Sequence, residues 1–291
     1  MIFMNLLLGA VLRGGIYVLM AMGLSLVFGV MKIPNFAHGE FYMVGAYLMY
    51  FASVTFGLPP VVCIIIAAIG GFLIGAIAEK LTLQPLRKRS KGDWIVNTFM
   101  LTAGLSIIMQ NLAQVLLGPN FKGVTQLWKG GIGIFGTNVT FDQLFGFIIA
   151  MGTVGAFWLF LKKTRTGNAI LAVSEHETGA MLMGIELNKI HTLTFALSSM
   201  LAAIAGAVLL SLIPAYPFMG LTPLYKSWFV VILVGLGNVE ATVVGGFMVA
   251  IIETLAAYYL GTGWQDVILL SVIILVLLIK PTGLFGKTLK V

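Results

Sequence analysis

The residues that could do chemistry are concentrated between Asn35 and Phe41, where the chain reads NFAHGEF. An amide, an imidazole and a carboxylate this close together could transfer protons or bind a metal. The letters HGE do not form the HExxH pattern of a zinc site, and no other histidine or cysteine clusters nearby in the sequence. On a helix, His38 and Glu40 lie about 200° apart and do not share a ligand. We therefore expect no catalytic residue and no metal site in this chain.

Two further ionisable residues stand inside long apolar runs, where such residues are functional candidates. Arg13 lies in the first run, and its side chain either reaches outward to an interface or faces neighbouring helices. Glu253 lies far from either end of its run, so an interfacial position does not account for it. Its carboxylate needs a partner or a wet cavity.

The segment GLFGKT near the C-terminus resembles the end of a phosphate-binding P-loop. Pro281 stands where the first glycine of that motif is required. We therefore expect no nucleotide and no other cofactor to be bound by this chain itself.

The composition indicates which elements must position these residues. Of 291 residues, 59% are hydrophobic and 9% are charged, and the mean hydropathy is +1.05. A water-soluble fold cannot bury so much apolar surface, and the continuous apolar runs differ from the alternating pattern of a membrane β-barrel. The predicted fold is all-α, a polytopic transmembrane helical bundle with broken or re-entrant helices and about 8 membrane-embedded segments. Residues 1–291 are expected to form one domain.

The apolar runs predict spanning segments and one hairpin. We place the spans at about 5–30, 33–56, 59–83, 94–117, 143–161, 191–213 and 264–280. Residues 224–260 form a paired element whose turn is expected between Gly235 and Gly246. Two full spans and a re-entrant half-helix both fit this element.

The basic residues predict the orientation and account for the net charge of +7. They concentrate at three sites: Lys80, Arg87, Lys88, Arg89 and Lys91; Lys162, Lys163, Arg165 and Lys189; and Lys280, Lys287 and Lys290. By the positive-inside rule these sites are cytoplasmic, so 118–142 and 214–223 are outside. The N-terminus is then outside and the C-terminus cytoplasmic, and the positive charge does not indicate a nucleic-acid partner.

The cytoplasmic stretch 162–190 carries apolar residues at helical spacing. This pattern favours a pair of short amphipathic helices that dock a cytoplasmic partner, whereas a solvated loop is the alternative.

Four stretches resemble one family of membrane proteins. They are GIYVLMAMGLSLVFGVMKIPNFAHGEFYMVGAY, TRTGNAILAVSEHETGAMLMGIELNKI, VVILVGLGNVEATVVGGFMVAIIE and IKPTGLFG. In this order they resemble the permease subunits of branched-chain amino-acid ABC importers, the LivH type. The sequence departs from the family pattern at Glu240 and Ala241, where proline and glycine are usual, and its cytoplasmic EAA pattern is degraded.

The resemblance implies a permease subunit in the inner membrane of a prokaryote. Its expected partners are a related second permease subunit, two cytoplasmic ATPase subunits that bind ATP and Mg, an extracytoplasmic solute-binding protein, and membrane lipid. The solute implied is a branched-chain amino acid, while urea, short amides and other small carboxylates are alternatives. A stand-alone secondary transporter or channel that uses Glu40, Glu253 or Arg13 as relay groups is the rival from another class.

Candidate site residues follow from the residues and the resemblance together. The substrate pathway is predicted to involve Asn35, Phe36, His38, Gly39, Glu40, Gly235, Gly237, Asn238, Glu240 and Glu253. Coupling to the ATPase is predicted to involve Gly167, Ala172, Glu177, Ala180, Gly184 and Ile185.

The stretch NFAHGEF is itself predicted to be a helix break. Pro34 restricts the residue before it to extended backbone, and Gly39 loosens the chain. Asn35 is expected to cap the helix that follows.

Overall fold

A computed structural model describes residues 2–89, 93–134 and 137–286. The basic residues Lys91, Lys287 and Lys290 lie outside the described residues. Within the described part, seven helices are long and apolar enough to cross a membrane. The predicted polytopic helical bundle is therefore confirmed.

The long helices follow the predicted segments, whereas the predicted span at 33–56 is wrong, because its helix begins only at His38. Their bounds are α1 (Ile2–Met31), α2 (His38–Tyr50), α3 (Pro60–Ala78), α4 (Gln84–Arg89), α5 (Trp94–Leu117), α6 (Phe141–Lys163), α7 (Arg165–Glu175), α8 (Glu177–Leu182), α9 (Leu187–Leu209), α10 (Leu221–Val234), α11 (Ala241–Leu260) and α12 (Gln265–Ile279). π-helical turns extend α2 and α3 through Phe51–Thr55 and Glu79–Leu83, and a 3-10 turn at Thr262–Trp264 precedes α12. A small antiparallel hairpin, β1 (Gly131–Ile134) with β2 (Thr137–Thr140), was not predicted.

Side-chain and backbone contacts define the two ends of the bundle. At the end that we call the basic end, Lys162 pairs with Glu240, and Arg87 donates to Asn188. The opposite end, which we call the hairpin end, carries the β-hairpin. There the backbone of Lys122 pairs with Ala215.

The first break in the helices follows α1, whose 30 residues extend about 45 Å. Residues 32–37 then run back along α1 as an extended leg. The imidazole Nε2 of His38, the first residue of α2, lies 3.0 Å from the carbonyl oxygen of Met20. Since Met20 is about three helical turns from the end of α1, α2 begins deep inside the bundle and runs to the hairpin end.

A second break mirrors the first. After α9, residues 210–220 return into the bundle from the hairpin end, and α10 then continues to the basic end. The two breaks meet at their glycines. A Cβ on Gly39 would lie 2.2 Å from the carbonyl oxygen of Gly220, and a Cβ on Gly220 would lie 2.3 Å from that of Gly39.

This reciprocal contact relates two runs of helices. Both α1 to α5 and α9 to α12 consist of a long helix, an extended leg, a half-helix and then further long helices. The helices of the second run cross the bundle in the opposite direction to those of the first. Such inverted repeats around a central contact are a recurrent plan of membrane transport folds. Neither half-helix spans a membrane core of about 30 Å alone: α10 has 14 residues and extends about 20 Å, and α2 with its π-helical turn extends about 25 Å.

The hairpin 224–260 is therefore one half-helix and one full helix. Its turn is shorter than expected, because α11 already begins at Ala241. The turn packs on Gly29 of α1, and the backbone N–H groups of Leu284 and Phe285 donate to the carbonyls of Leu233 and Val234. The C-terminal segment thus fixes the end of α10 at the basic end.

Small residues allow α3 and α9 to pack closely. A Cβ on Gly71 would lie 2.4 Å from the Cβ of Ala203, and one on Gly75 would lie 2.4 Å from the hydroxyl of Ser199. The two glycines are four residues apart, so they share one helix face. The result is a rigid layer behind α2.

Candidate functional site

A row of buried polar side chains on α5 faces the first break. Thr98, Thr102, Ser106 and Gln110 recur every four residues and are all buried, whereas much of the remaining surface of α5 is exposed and apolar. Spacing by four residues places them on one face of the helix. We call this row, together with the Asn35, Glu40 and Trp228 side chains beside it, the polar seam.

His38 is held between two helices. Its Nε2 lies 3.0 Å from the Met20 carbonyl oxygen, and its Nδ1 lies 3.2 Å from the Ser198 hydroxyl. A carbonyl only accepts hydrogen bonds, so Nε2 carries the proton and Nδ1 accepts from Ser198. The side chain is fully buried, and both nitrogens are engaged. This geometry fixes the start of α2 against α1 and α9.

Glu40 points to the opposite side of α2, as its predicted separation from His38 requires. Its Oε1 accepts hydrogen bonds from Ser106 at 2.8 Å and from Gln110 at 2.7 Å. The carboxylate is fully buried, and its Oε2 has no partner among the described residues. The carboxylate therefore retains acceptor capacity toward the polar seam.

The leg before α2 is fixed by one turn and one aromatic group. The Asn35 side-chain oxygen accepts from the N–H of Ala37 at 3.1 Å, so Asn35 stabilises the turn and does not cap α2 as expected. The Phe36 N–H donates to Thr102 at 3.3 Å. The Phe36 ring packs against Phe99 and Trp228, with centroids 4.8 and 5.8 Å apart. Aromatic rings thus close the seam toward the basic end.

Several buried polar atoms along the seam lack a hydrogen-bond partner among the described residues. They are Asn35 Nδ2, Glu40 Oε2, Thr98 Oγ1 and Trp228 Nε1. Leaving such an atom unpaired costs about 1–3 kcal/mol. Four of them in one region indicate a place where water or a polar solute completes the hydrogen bonds.

Glu253 belongs to a different cluster. Its carboxylate accepts from the Tyr17 hydroxyl at 2.9 Å and pairs with Lys226 at 3.2 Å. Lys226 is also paired with Asp266. The cluster therefore joins α1, α10, α11 and α12, and the predicted partner of Glu253 is a lysine on the half-helix.

The predicted turn residues lie at the basic end, apart from the seam. Gly235 and Gly237 have positive φ angles of 109° and 81°. Asn238 donates to the Phe285 carbonyl at 3.1 Å. Glu240 is exposed and lies 2.5 Å from Lys162. The structure thus brings Asn35, Phe36 and Glu40 together with α5, but it does not bring the turn residues or Glu253 to them.

The expected pair of short helices in 162–190 is present as α7 and α8. Gly167 packs against the end of α6, and Ala180 is buried, while Ala172, Glu177 and Gly184 are exposed and Ile185 is half-buried. The Gly167 N–H donates to Thr164 at 2.9 Å, and the Gly179 N–H donates to His176 at 2.8 Å. Both helices are therefore capped at their N-termini. Their predicted role in coupling remains a prediction.

Three residues that are functional candidates in the structure were not predicted from the sequence. A sequence signal for Ser106 and Gln110 was present, because polar residues recur every four positions inside this apolar helix. Lys226 was readable as a charge within the hairpin. A further buried pair, Glu79 with Arg87 at 2.5 Å, was also not predicted.

Comparisons with known proteins agree with this architecture. Residues 6–277 match the family model described as "Branched-chain amino acid transport system / permease component". The chain is 28% identical to the high-affinity branched-chain amino acid permease protein LivH of Escherichia coli K12, and 29% identical to BraD of Pseudomonas aeruginosa. Each alignment covers 98% of this chain and 96% of the relative. It is 30% identical to a probable LivH of Methanocaldococcus jannaschii, over 96% of this chain and 91% of that protein.

One solved structure shares the fold. The structure titled "PsaBC from Streptococcus pneumoniae in complex with Fab" superposes with a TM-score of 0.50 at 14% identity, covering 95% of this chain and 92% of that chain. The likeness concerns the arrangement of helices, because so low an identity carries no further information. With the family model matched over nearly its whole length, the chain belongs to the family of permease components of branched-chain amino-acid transport systems.

Proposed function

We propose that this chain is the transmembrane permease subunit of an ABC importer that translocates branched-chain amino acids. The observation that carries the proposal is the meeting of two half-helices at Gly39 and Gly220 beside the polar seam. Broken helices that meet in mid-membrane provide polar groups to a solute, while intact helices still form the surface that contacts lipid. The chain acts as a non-enzymatic transport subunit of the bacterial inner membrane.

The seam supplies the pathway in this proposal. Glu40, Ser106 and Gln110 offer hydrogen-bonding groups, and Phe36 with Trp228 closes the path toward the basic end. A related second permease subunit faces the first and completes the enclosure. Glu253, a relay group in the rival hypothesis of a stand-alone transporter, is ion-paired with Lys226.

The ATPase subunits dock at α7 and α8. Three consecutive apolar side chains protrude there, with Met181 53%, Leu182 81% and Met183 84% exposed. An apolar tip of this kind on a polar surface favours a protein partner. The ATPase pair binds ATP and Mg, and it drives alternating access by binding one permease state more tightly than the other. The basic end then faces the cytoplasm, and the binding protein delivers solute to the hairpin end.

Reconstitution tests the function. The chain, co-purified with its permease and ATPase partners in liposomes, is expected to accumulate labelled leucine only with internal ATP and the external binding protein. Urea and acetamide serve as competing solutes. Accumulation of urea in place of leucine would show that urea is the transported solute. Uptake by this chain alone would refute the ATP-driven mechanism.

Docking has its own test. We expect Leu182→Asp to abolish co-purification of the ATPase, because it puts a charge into an apolar contact. Lys88→Gln, an exposed change at the same end of the bundle, is the matched control. Normal ATPase recovery with Leu182→Asp would contradict docking at α8.

A further inference from the structure

A cavity of about 460 Å³ lies at the hairpin end between α1, α6 and α9. It shares no lining residue with the polar seam. Its polar lining includes Asn5, Arg13, Asn138 and Gln143. Its remaining walls are mostly aliphatic side chains, among them Leu12 and Val208. The cavity also holds one carboxylate, but its one cation, several amides and apolar walls fit an amphipathic anion.

Arg13 is the unexplained charge in this cavity. It makes no hydrogen bond or ion pair with any residue in the described part of the chain. The carboxylate of Asp142, which also lines the cavity, is already engaged, since its Oδ1 accepts from the N–H groups of Leu127 and Trp128 at 3.1 and 2.8 Å. A guanidinium in a spanning helix requires an anion or a path to water.

The position of Arg13 along α1 indicates which anion is available. α1 extends about 45 Å and overhangs a hydrocarbon core of about 30 Å at both ends. With an equal overhang at each end, Arg13 lies less than about 10 Å below the hairpin-end boundary of the core. Helical side chains tilt toward the N-terminus of their helix, so the guanidinium points back to the headgroup level. The anion present there at high concentration is the phosphodiester of a lipid.

We propose that this cavity binds the headgroup of an anionic phospholipid. The phosphodiester pairs with Arg13, the amides of Asn138 and Gln143 bind the polar headgroup, and the first acyl carbons lie against Leu12 and Val208. The site does not depend on the transported solute. It would join α1, α6 and α9 at the hairpin end of the bundle.

Native mass spectrometry of the purified transporter in detergent tests the proposal. Titrated with phosphatidylglycerol, the wild type is expected to bind at least about tenfold more tightly than with phosphatidylcholine, which corresponds to about 1.4 kcal/mol. Arg13→Gln should remove this preference, and Arg13→Lys should retain part of it. Lys80→Gln, which deletes an exposed charge in the π-helical turn after α3, is the control. Equal binding of both lipids, or an unchanged preference in Arg13→Gln, would overturn the proposal.

A second variant tests the cavity and leaves the charge in place. Gly9 lines the cavity, and a Cβ there meets nothing within 4 Å, so Gly9→Phe fills the space without a backbone clash. Phosphatidylglycerol binding should fall, whereas Gly155→Phe, at an equally open glycine of α6, should bind normally. Displacement of the lipid by equimolar glycerol phosphate or leucine would instead identify a soluble-anion site and refute the lipid assignment.

Discussion

Two buried carboxylates, Glu253 and Glu40, are stabilised in different ways. Glu253 has a cation at 3.2 Å and a tyrosine hydroxyl at 2.9 Å, so its charge is balanced where it lies. Glu40 has only the hydroxyl of Ser106 and the amide of Gln110, both on one oxygen. The first arrangement fixes helices to one another, and the second leaves an acceptor free in the proposed path.

Replacing Lys226 should destabilise the bundle. Lys226→Met leaves Glu253 charged and buried without a cation, which costs about 3–5 kcal/mol for buried ion pairs. The thermal unfolding midpoint in detergent should fall clearly, and Lys226→Met combined with Glu253→Met should recover much of the loss. The exposed change Lys80→Met is the control, and an unchanged midpoint for Lys226→Met alone would show that the cluster contributes little.

Replacing Glu40 should separate its structural role from its role in transport. Glu40→Gln keeps an oxygen for Ser106 and Gln110, so we expect near-normal stability but leucine uptake reduced by at least about tenfold, equivalent to 1.4 kcal/mol. Glu40→Ala leaves the buried donors of Ser106 and Gln110 without an acceptor, at a cost of about 1–3 kcal/mol each. This variant should therefore also have a lower thermal unfolding midpoint. Wild-type uptake by Glu40→Gln would assign Glu40 to the fold alone.

At the scale of elements, the two half-helices depend on one backbone contact. Gly39 and Gly220 touch each other's carbonyl oxygens, and no side chain lies between them that could move aside. α2 is also held from behind by the α3–α9 layer, whereas α10 packs on α1 and α11. Because the contact joins two backbones, it fixes α2 and α10 to each other at this point.

A side chain at this contact should block assembly of the break. We expect Gly39→Leu to lower the thermal midpoint, since overpacking against backbone costs about 1–3 kcal/mol or more, and to abolish uptake. Gly104→Leu, on α5 where a Cβ meets nothing within 4 Å, should remain normal in both assays. Full uptake by Gly39→Leu would mean that the two half-helices are not tightly apposed.

The spanning elements were predictable because their apolar length is a local property of the sequence. Pro34 and the flanking polar residues also predicted the break before α2. The break before α10 was not predicted, because residues 191–213 were read as a span and 214–223 as an outside loop, whereas the chain re-enters the bundle over 210–220. The Glu40–Gln110 and Lys226–Glu253 contacts join residues far apart in sequence, and no local pattern specifies such a pairing. The sequence therefore predicts the helices but not which side chains of different helices meet inside the bundle.

For the whole molecule, the asymmetry of charge between the two ends is the main clue to orientation. Arg87, Lys162 and Lys280 all lie at the basic end with α7 and α8. The hairpin end carries Lys122 and Lys129 in the loop before the β-hairpin. By the positive-inside rule, this asymmetry supports the proposal that the basic end faces the cytoplasm.

Labelling of single cysteines in cells should verify this orientation. Cys63 is the one cysteine in the sequence and is buried, so Cys63→Ala provides a silent background. In that background, Thr125→Cys in the exposed hairpin-end loop should react with a membrane-impermeant maleimide in spheroplasts. Glu177→Cys, exposed on α8, should react only after the membrane is permeabilised. The reverse pattern would invert the topology, and it would move the proposed ATPase surface to the wrong side of the membrane for a partner that binds cytoplasmic ATP.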